Sequence, residues 1–257
     1  MQVFSTSSAA GRRRALTVCA ALATWFLAGK SLAIVGPARE GQALAGHVVS
    51  VLIREARRAG FCSGVVMADK VVLTAGHCAK RAGDMRVFYR DAADAPVFLE
   101  VQAVALHPGF KADAIARRLV SVDLALIQTA KPLDPRFSAP DLETNVVALG
   151  QPLVAAGFGV ALEGEQASAG VLREIGLTAR APLSSRLVWA NDRGGAGGGA
   201  CTGDSGGPIM TGDGARLLAI IAWSAGEGGR HCGALTQGIL VAPVRDWLRA
   251  TIQGWSR

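Results

Sequence analysis

Aromatic residues are scarce in this chain: they make up 5% of 257 residues, and only one is a tyrosine. A core so poor in rings has to be aliphatic, and 32 glycines supply a backbone freedom that long helices do not tolerate. A helical bundle is thereby a poor fit. No two of the five cysteines stand in CxxC spacing, the commonest arrangement of structural zinc ligands, so no metal is expected. Residues 1–33 contain no acid, although they hold Arg12, Arg13, Arg14 and Lys30. Without them the formal charge drops from +7 to +3, with 23 basic against 20 acidic residues. That is an ordinary mixed surface, and nucleic acid is not an expected partner.

What is present begins with export. Gly11–Arg14 is a basic start, followed by an uncharged stretch of 15 residues, Ala15–Gly29. That is short of the roughly 20 residues of a membrane span and matches the apolar region of a secretory signal. Ser31-Leu32-Ala33 offers small residues where a signal peptidase inspects the chain, so cleavage would leave Ile34 as the new N-terminus. Ala43-Leu44-Ala45 is a rival site farther from the apolar stretch. An uncleaved segment is the competing reading and the only expected contact with a membrane, and the adjacent arginines leave a twin-arginine route open. The expected organisation is a signal peptide over 1–33 and one domain over 34–257, secreted or periplasmic. Cys19 departs with the leader, and Cys62, Cys78, Cys201 and Cys232 remain as an even number in an oxidising compartment. Two disulfides follow, with three possible pairings.

Beyond Ile34 the chain alternates short aliphatic runs with Gly, Pro and Asp clusters. Val48–Ile53, Gly64–Met67, Val71–Thr74, Val97–Leu106 and Leu124–Gln128 read as strands. After a linker-like stretch over 131–145 the pattern resumes at Val146–Leu149, Leu153–Phe158, Leu172–Leu177, Ile209–Met210, Leu217–Trp223 and Ile239–Val241. Helical character is confined to the end, where Pro243 suits a first turn and Val244, Trp247, Leu248 and Ile252 share one face. The glycine-rich stretch Arg193–Ala200 lacks the strand-then-helix context and following Lys of a phosphate loop, and reads as a flexible loop.

Three motifs carry chemistry. Gly203-Asp204-Ser205-Gly206-Gly207-Pro208 sets a serine between glycines, which permit backbone angles and close approaches that side chains forbid. Thr74-Ala75-Gly76-His77-Cys78 follows an apolar strand and places one of only four histidines beside a cysteine. A hydroxyl nucleophile needs a base that titrates near neutrality, which histidine supplies. Asp123 heads Asp123-Leu124-Ala125-Leu126-Ile127, so its carboxylate enters the interior at a desolvation cost and wants a partner.

In the order His77, Asp123, Ser205, with Ile34-Val35-Gly36 at the mature start, these motifs resemble the trypsin/chymotrypsin family of serine endopeptidases. His107-Pro108-Gly109-Phe110, Ala156-Gly157-Phe158-Gly159, Trp223 and the closing helix extend the likeness over the whole chain after residue 33. The resemblance implies an all-β fold of two six-stranded antiparallel barrels, at about 46–130 and about 146–242, with a C-terminal helix at about 243–254. It implies disulfides Cys62–Cys78 and Cys201–Cys232, a monomer, a polypeptide substrate and no cofactor. Ser205 would attack, His77 would take its proton, Asp123 would fix the imidazole, and the N–H groups of Gly203 and Ser205 would hold the oxyanion. A freed Ile34 ammonium would pair with Asp204.

The resemblance further implies a primary pocket with Gly199 at its base and Trp223, Ser224 and Gly238 along its walls, and no acid stands at these positions. A neutral, apolar P1 side chain is therefore expected over Lys or Arg, with Glu227 in a nearby loop as the one complication. Three further positions depart from the family pattern. Trp189-Ala190 lies where many relatives carry a cysteine, and Ala222 replaces a serine that supports the catalytic aspartate. Asp91 and Asp94 read as a solvated turn rather than a calcium loop. A catalytically inactive homologue serving as a binding module is the alternative reading, although such proteins usually lose a member of the triad and all three stand here.

Overall fold

The computed structural model describes Met1 and residues 34–55, 58–117 and 119–256, so the expected signal over 1–33 lies almost entirely outside the described residues. Among the described residues fourteen strands follow in chain order: β1 (Arg39–Glu40), β2 (Val48–Glu55), β3 (Arg58–Ala68), β4 (Val71–Thr74), β5 (Met85–Arg90), β6 (Pro96–Leu106), β7 (Ala125–Thr129), β8 (Asp141–Leu142), β9 (Pro152–Gly157), β10 (Arg173–Arg180), β11 (Leu187–Asp192), β12 (Pro208–Thr211), β13 (Arg216–Ala225) and β14 (Leu235–Leu240). Six of them close the first barrel in the order β2-β3-β4-β7-β6-β5. The second barrel closes through β9-β10-β11-β14-β13-β12, with β12 and β10 both pairing with β9. Short β1 adds to β10, and β8 runs parallel to β13. The fold is therefore two closed six-stranded antiparallel barrels followed by a helix, Arg245–Trp255.

Aliphatic packing explains the closure. Val49, Val51, Ile53, Val72, Met85, Val87 and Ile127 fill the first barrel, and Leu153, Ile175, Leu177, Val188, Ile209 and Ile221 fill the second. A third cluster joins the two: Leu73 and Leu126 pack with Met210, Leu217, Ile239 and Leu248 of the helix. Pro243 sits in a short 3₁₀ turn, Ala242–Val244, that opens the helix, where its missing N–H leaves no bond unmade. At the other end Gln128 Nε2 donates to the Trp255 carbonyl at 3.2 Å and ties the helix to β7.

Three strand expectations change. Met85–Arg90 is a strand although arginines interrupt its apolar run, because Met85, Val87 and Tyr89 alternate inward. Leu187–Asp192 is also a strand despite its Asn-Asp ending. Val146–Leu149 is not: Val146 is 89% exposed and Leu149 65%. The carboxylate of buried Glu143 accepts Thr144 N–H and Asn145 N–H at 2.7 and 2.8 Å, and this turn breaks the extended run. Both disulfides form, Cys62–Cys78 and Cys201–Cys232, as the resemblance implied. Among the described residues no helix is long and apolar enough to cross a membrane.

Candidate active site

His77 stands in a 3₁₀ turn, Gly76–Cys78, at the end of β4, and the Cys62–Cys78 disulfide ties that turn to β3. Asp123 lies just before β7, which pairs with β4, so neighbouring strands deliver the two residues. Two hydrogen bonds join them. His77 N–H donates to Asp123 Oδ1 at 2.8 Å, and His77 Nδ1 donates to Asp123 Oδ2 at 2.7 Å. A carboxylate can only accept, so Nδ1 carries a proton, and in the neutral ring Nε2 is left as an acceptor. Gly76 makes this approach possible: a Cβ there would stand 3.0 Å from Asp123 Oδ1 and 2.8 Å from the Phe110 ring.

Ser205 comes from the second barrel, on the turn between Cys201 and β12. Its carbonyl accepts Ser63 N–H at 2.8 Å, which docks the turn onto β3 of the first barrel. Gly203 holds φ 96° with its Cα against the Phe61 ring, where a Cβ would overlap the ring. Only glycine combines that angle with that contact. Gly206 is equally hemmed in, by the Ser63 carbonyl and the Thr74 hydroxyl. A cleft of about 860 Å³ opens between the barrels, and His77, Asp123, Gly203, Ser205, Trp223 and Ser224 all line it.

The other expected site residues lie elsewhere. Ile34 is fully buried in the core of the second barrel, and Val35 bridges to Gly199. Asp204 is fully buried; its Oδ1 accepts Gly159 N–H and its Oδ2 accepts Cys201 N–H, each at 2.8 Å. Burial pushes its carboxyl up to about 7, against the opposing pull of those two bonds. Gly199 is buried and is not among the residues lining the cleft, and a Cβ on it would lie 3.0 Å from Thr236 Oγ1. Gly238 faces the barrel interior, where a Cβ would lie 2.7 Å from Ile209 Cδ1 and 3.0 Å from Ala219 Cβ. Thr236, not Gly238, pairs with Ser224 across β13 and β14. Glu227 is exposed on a turn closed by Arg230 N–H to its carbonyl. One His77 ring nitrogen lies within 4.8 Å of the Cys62 and Cys78 sulfurs, but the disulfide leaves neither sulfur available as a thiolate ligand for a metal.

Sequence reasoning missed two residues that shape this site. Ser63, fully buried, donates from Oγ to the Gly203 carbonyl at 3.0 Å and accepts Phe158 N–H at 3.0 Å, lacing both barrels to the serine turn. Nothing separates it from other strand serines until the register of β3 is known. Thr236, 1% exposed, accepts Ala200 N–H at 3.0 Å. Its signal was a polar residue within an aliphatic run.

The family model for Trypsin matches residues 34–248. Human granzyme M is 30% identical over 212 residues, covering 73% of this chain and 78% of that protein. Canine serine protease 1 is 26% identical over 186 residues, 65% of this chain and 70% of its own length. The structure of neuropsin, a serine protease expressed in the limbic system of mouse brain, superposes with a TM-score of 0.67 at 20% identity, over 84% of this chain and 99% of that one. At that identity the superposition speaks to fold alone. Taken with the match over 34–248, it leads to one conclusion: the chain belongs to the trypsin family of serine endopeptidases.

Proposed function

We propose that the chain is an exported endopeptidase that cleaves peptide bonds through Ser205, His77 and Asp123 by way of an acyl-enzyme. The observation that carries this reading is the double hydrogen bond from His77 to Asp123, at 2.7 and 2.8 Å, in the cleft that Ser205 also lines. Ser205 Oγ bonds to the substrate carbonyl carbon as its proton passes to His77 Nε2. Asp123 keeps Nδ1 protonated and balances the imidazolium. The carbonyl oxygen, now anionic, takes hydrogen bonds from Gly203 N–H and Ser205 N–H, each worth about 3–4 kcal/mol of barrier. Collapse breaks the C–N bond and returns the proton from His77 to the leaving amine. Water then repeats the sequence and frees Ser205.

Export supplies the switch in this reading. Cleavage after Ala33 creates an ammonium on Ile34, and its pairing with Asp204 draws the buried carboxyl back to its charged form. For specificity, Thr236 fills space between Gly199 and Ser224, and no acid lines that wall, which favours short neutral P1 side chains.

Covalent labelling by a fluorophosphonate tests the reading. The processed enzyme labels at Ser205, and Ser205→Ala neither labels nor hydrolyses peptides. Absence of label on folded, processed protein assigns the chain to the inactive binding modules instead. N-terminal sequencing of the exported protein is expected to begin at Ile34; a start at Gly46 or an intact leader refutes the switch.

A further inference from the structure

The serine turn is reached through residues 194–201, five of which are glycine. Such a segment loses much chain entropy on ordering and has almost no side chains to bury in return. Its order comes from captured N–H groups. Asp192 Oδ1 accepts Gly194 N–H at 2.8 Å, and Oδ2 accepts those of Ala196 and Gly198 at 2.9 and 3.2 Å. The Val35 carbonyl accepts Gly199 N–H at 3.0 Å, Thr236 Oγ1 takes that of Ala200, and Asp204 takes that of Cys201. Of these acceptors Asp192, at the end of β11 and 8% exposed, holds three donors, and no chemical step uses it.

The same segment forms the seat of the N-terminal strip. Val35 bridges to Gly199, and a Cβ on Gly198 would lie 3.0 Å from both Pro37 Cδ and the Val35 carbonyl. We infer that Asp192 is a positioning residue: its carboxylate folds 194–198 into the seat that receives residues 34–37, and through 199–201 sets the approach to Gly203 and Ser205. The inference rests on the reading of Ser205 as nucleophile, and it deepens that reading by naming what governs the active conformation. Asp192 stands close in sequence to Ala190, where a disulfide of many relatives is missing, and three charge-assisted hydrogen bonds there serve to restrain the loop.

If Asp192 governs an equilibrium between a seated and an unseated loop, its removal lowers the seated fraction, and the apparent affinity for substrate falls by that fraction. The test compares the processed wild type with Asp192→Ala and Asp192→Asn by peptide-amide kinetics, fluorophosphonate labelling and amide hydrogen exchange. For Asp192→Ala the expected result is a KM raised about tenfold with kcat within about threefold, because saturating substrate pulls the loop back. Exchange at Gly199 and Cys201 accelerates at least about tenfold, while strands of the first barrel keep wild-type protection. Asp192→Asn shows the same changes at smaller amplitude, since its amide oxygen still accepts from one side; it carries the test if the alanine variant does not fold. A variant with wild-type KM and wild-type exchange at 199–201 overturns the inference, even with a lowered melting temperature, and reduces Asp192 to a stabiliser of β11. A wild type that takes no label refutes the nucleophile reading instead, and the exchange data still decide whether Asp192 forms the seat.

Discussion

The two barrels hold their reactive groups by different means. In the first, His77 and Asp123 sit at the ends of paired strands, braced by a disulfide and by two hydrogen bonds between them. In the second, Ser205 rides on an irregular stretch in which carboxylates, a hydroxyl and a carbonyl capture N–H groups in turn. A strand ladder forms whenever the barrel forms. A captured loop forms only when each acceptor is in place and in the right charge state. On the proposed reading the base and its orienting acid are built by folding itself, whereas the proposed nucleophile depends on Asp192, Asp204 and the seating of residues 34–37. That division suits the proposed activation by cleavage after Ala33.

Breaking the rigid half has the largest kinetic effect and the smallest structural one. Asp123→Asn is expected to cut kcat by about 10⁴-fold, because an amide nitrogen facing Nδ1 favours the wrong imidazole tautomer. Hydrogen exchange in the second barrel should remain unchanged. The conditional half responds to pH. In the uncleaved chain Asp204, raised to about 7 by burial, favours its protonated form in the folded state. Its folded value exceeds its unfolded value, so the stability it contributes is complete below about pH 4 and is lost as pH rises through about 7. The loss amounts to about 4 kcal/mol at about 1.4 kcal/mol per unit. Denaturant titrations across pH 4–8 should show this slope in the full chain, a flatter curve after cleavage at Ala33, and a flatter curve in the Asp204→Asn full chain. Equal slopes in all three forms would remove Asp204 from the switch.

Much of the rigid half was legible in the sequence and much of the conditional half was not, for a physical reason. Aliphatic alternation marks strands such as Val71–Thr74, and a histidine or aspartate at a strand end stands out against an apolar run. The glycines around Ser205 were equally visible. Asp192 was not, because the stretch after it reads as a flexible loop until its three N–H groups are seen converging on one carboxylate. The surroundings of Gly238 were hidden for a related reason. Register across two strands cannot be read from one of them: a shift in β13 between Ile221 and Trp223 sets Gly238 opposite Ile221 and Thr236 opposite Ser224, although residues two apart in β14 share a face.

A smaller effect sharpens the seam between the halves. Ser63→Ala leaves the Phe158 N–H without its acceptor and the Gly203 carbonyl without a donor. The expected cost is about 1–3 kcal/mol of stability. A drop in kcat of a few fold should accompany it, as Gly203 gains freedom, and thermal unfolding together with kinetics on the same preparation measures both.

The mildest prediction concerns selectivity rather than rate. Thr236 combines a hydroxyl that holds Ala200 N–H with a methyl group that only occupies space, and two variants separate these roles. Thr236→Ser keeps the acceptor and removes the methyl; Thr236→Gly removes both. A buried methylene-sized volume is worth about 1 kcal/mol, somewhat less than a factor of ten in kcat/KM. The ratio of cleavage after Leu to cleavage after Ala should therefore rise several-fold in the serine variant and by about tenfold or more in the glycine variant. Hydrogen exchange at Ala200 should accelerate in the glycine variant alone. If both variants keep the wild-type ratio, Thr236 holds the loop of the conditional half without shaping the pocket, and substrate choice must be sought along the wall formed by Trp223 and Ser224.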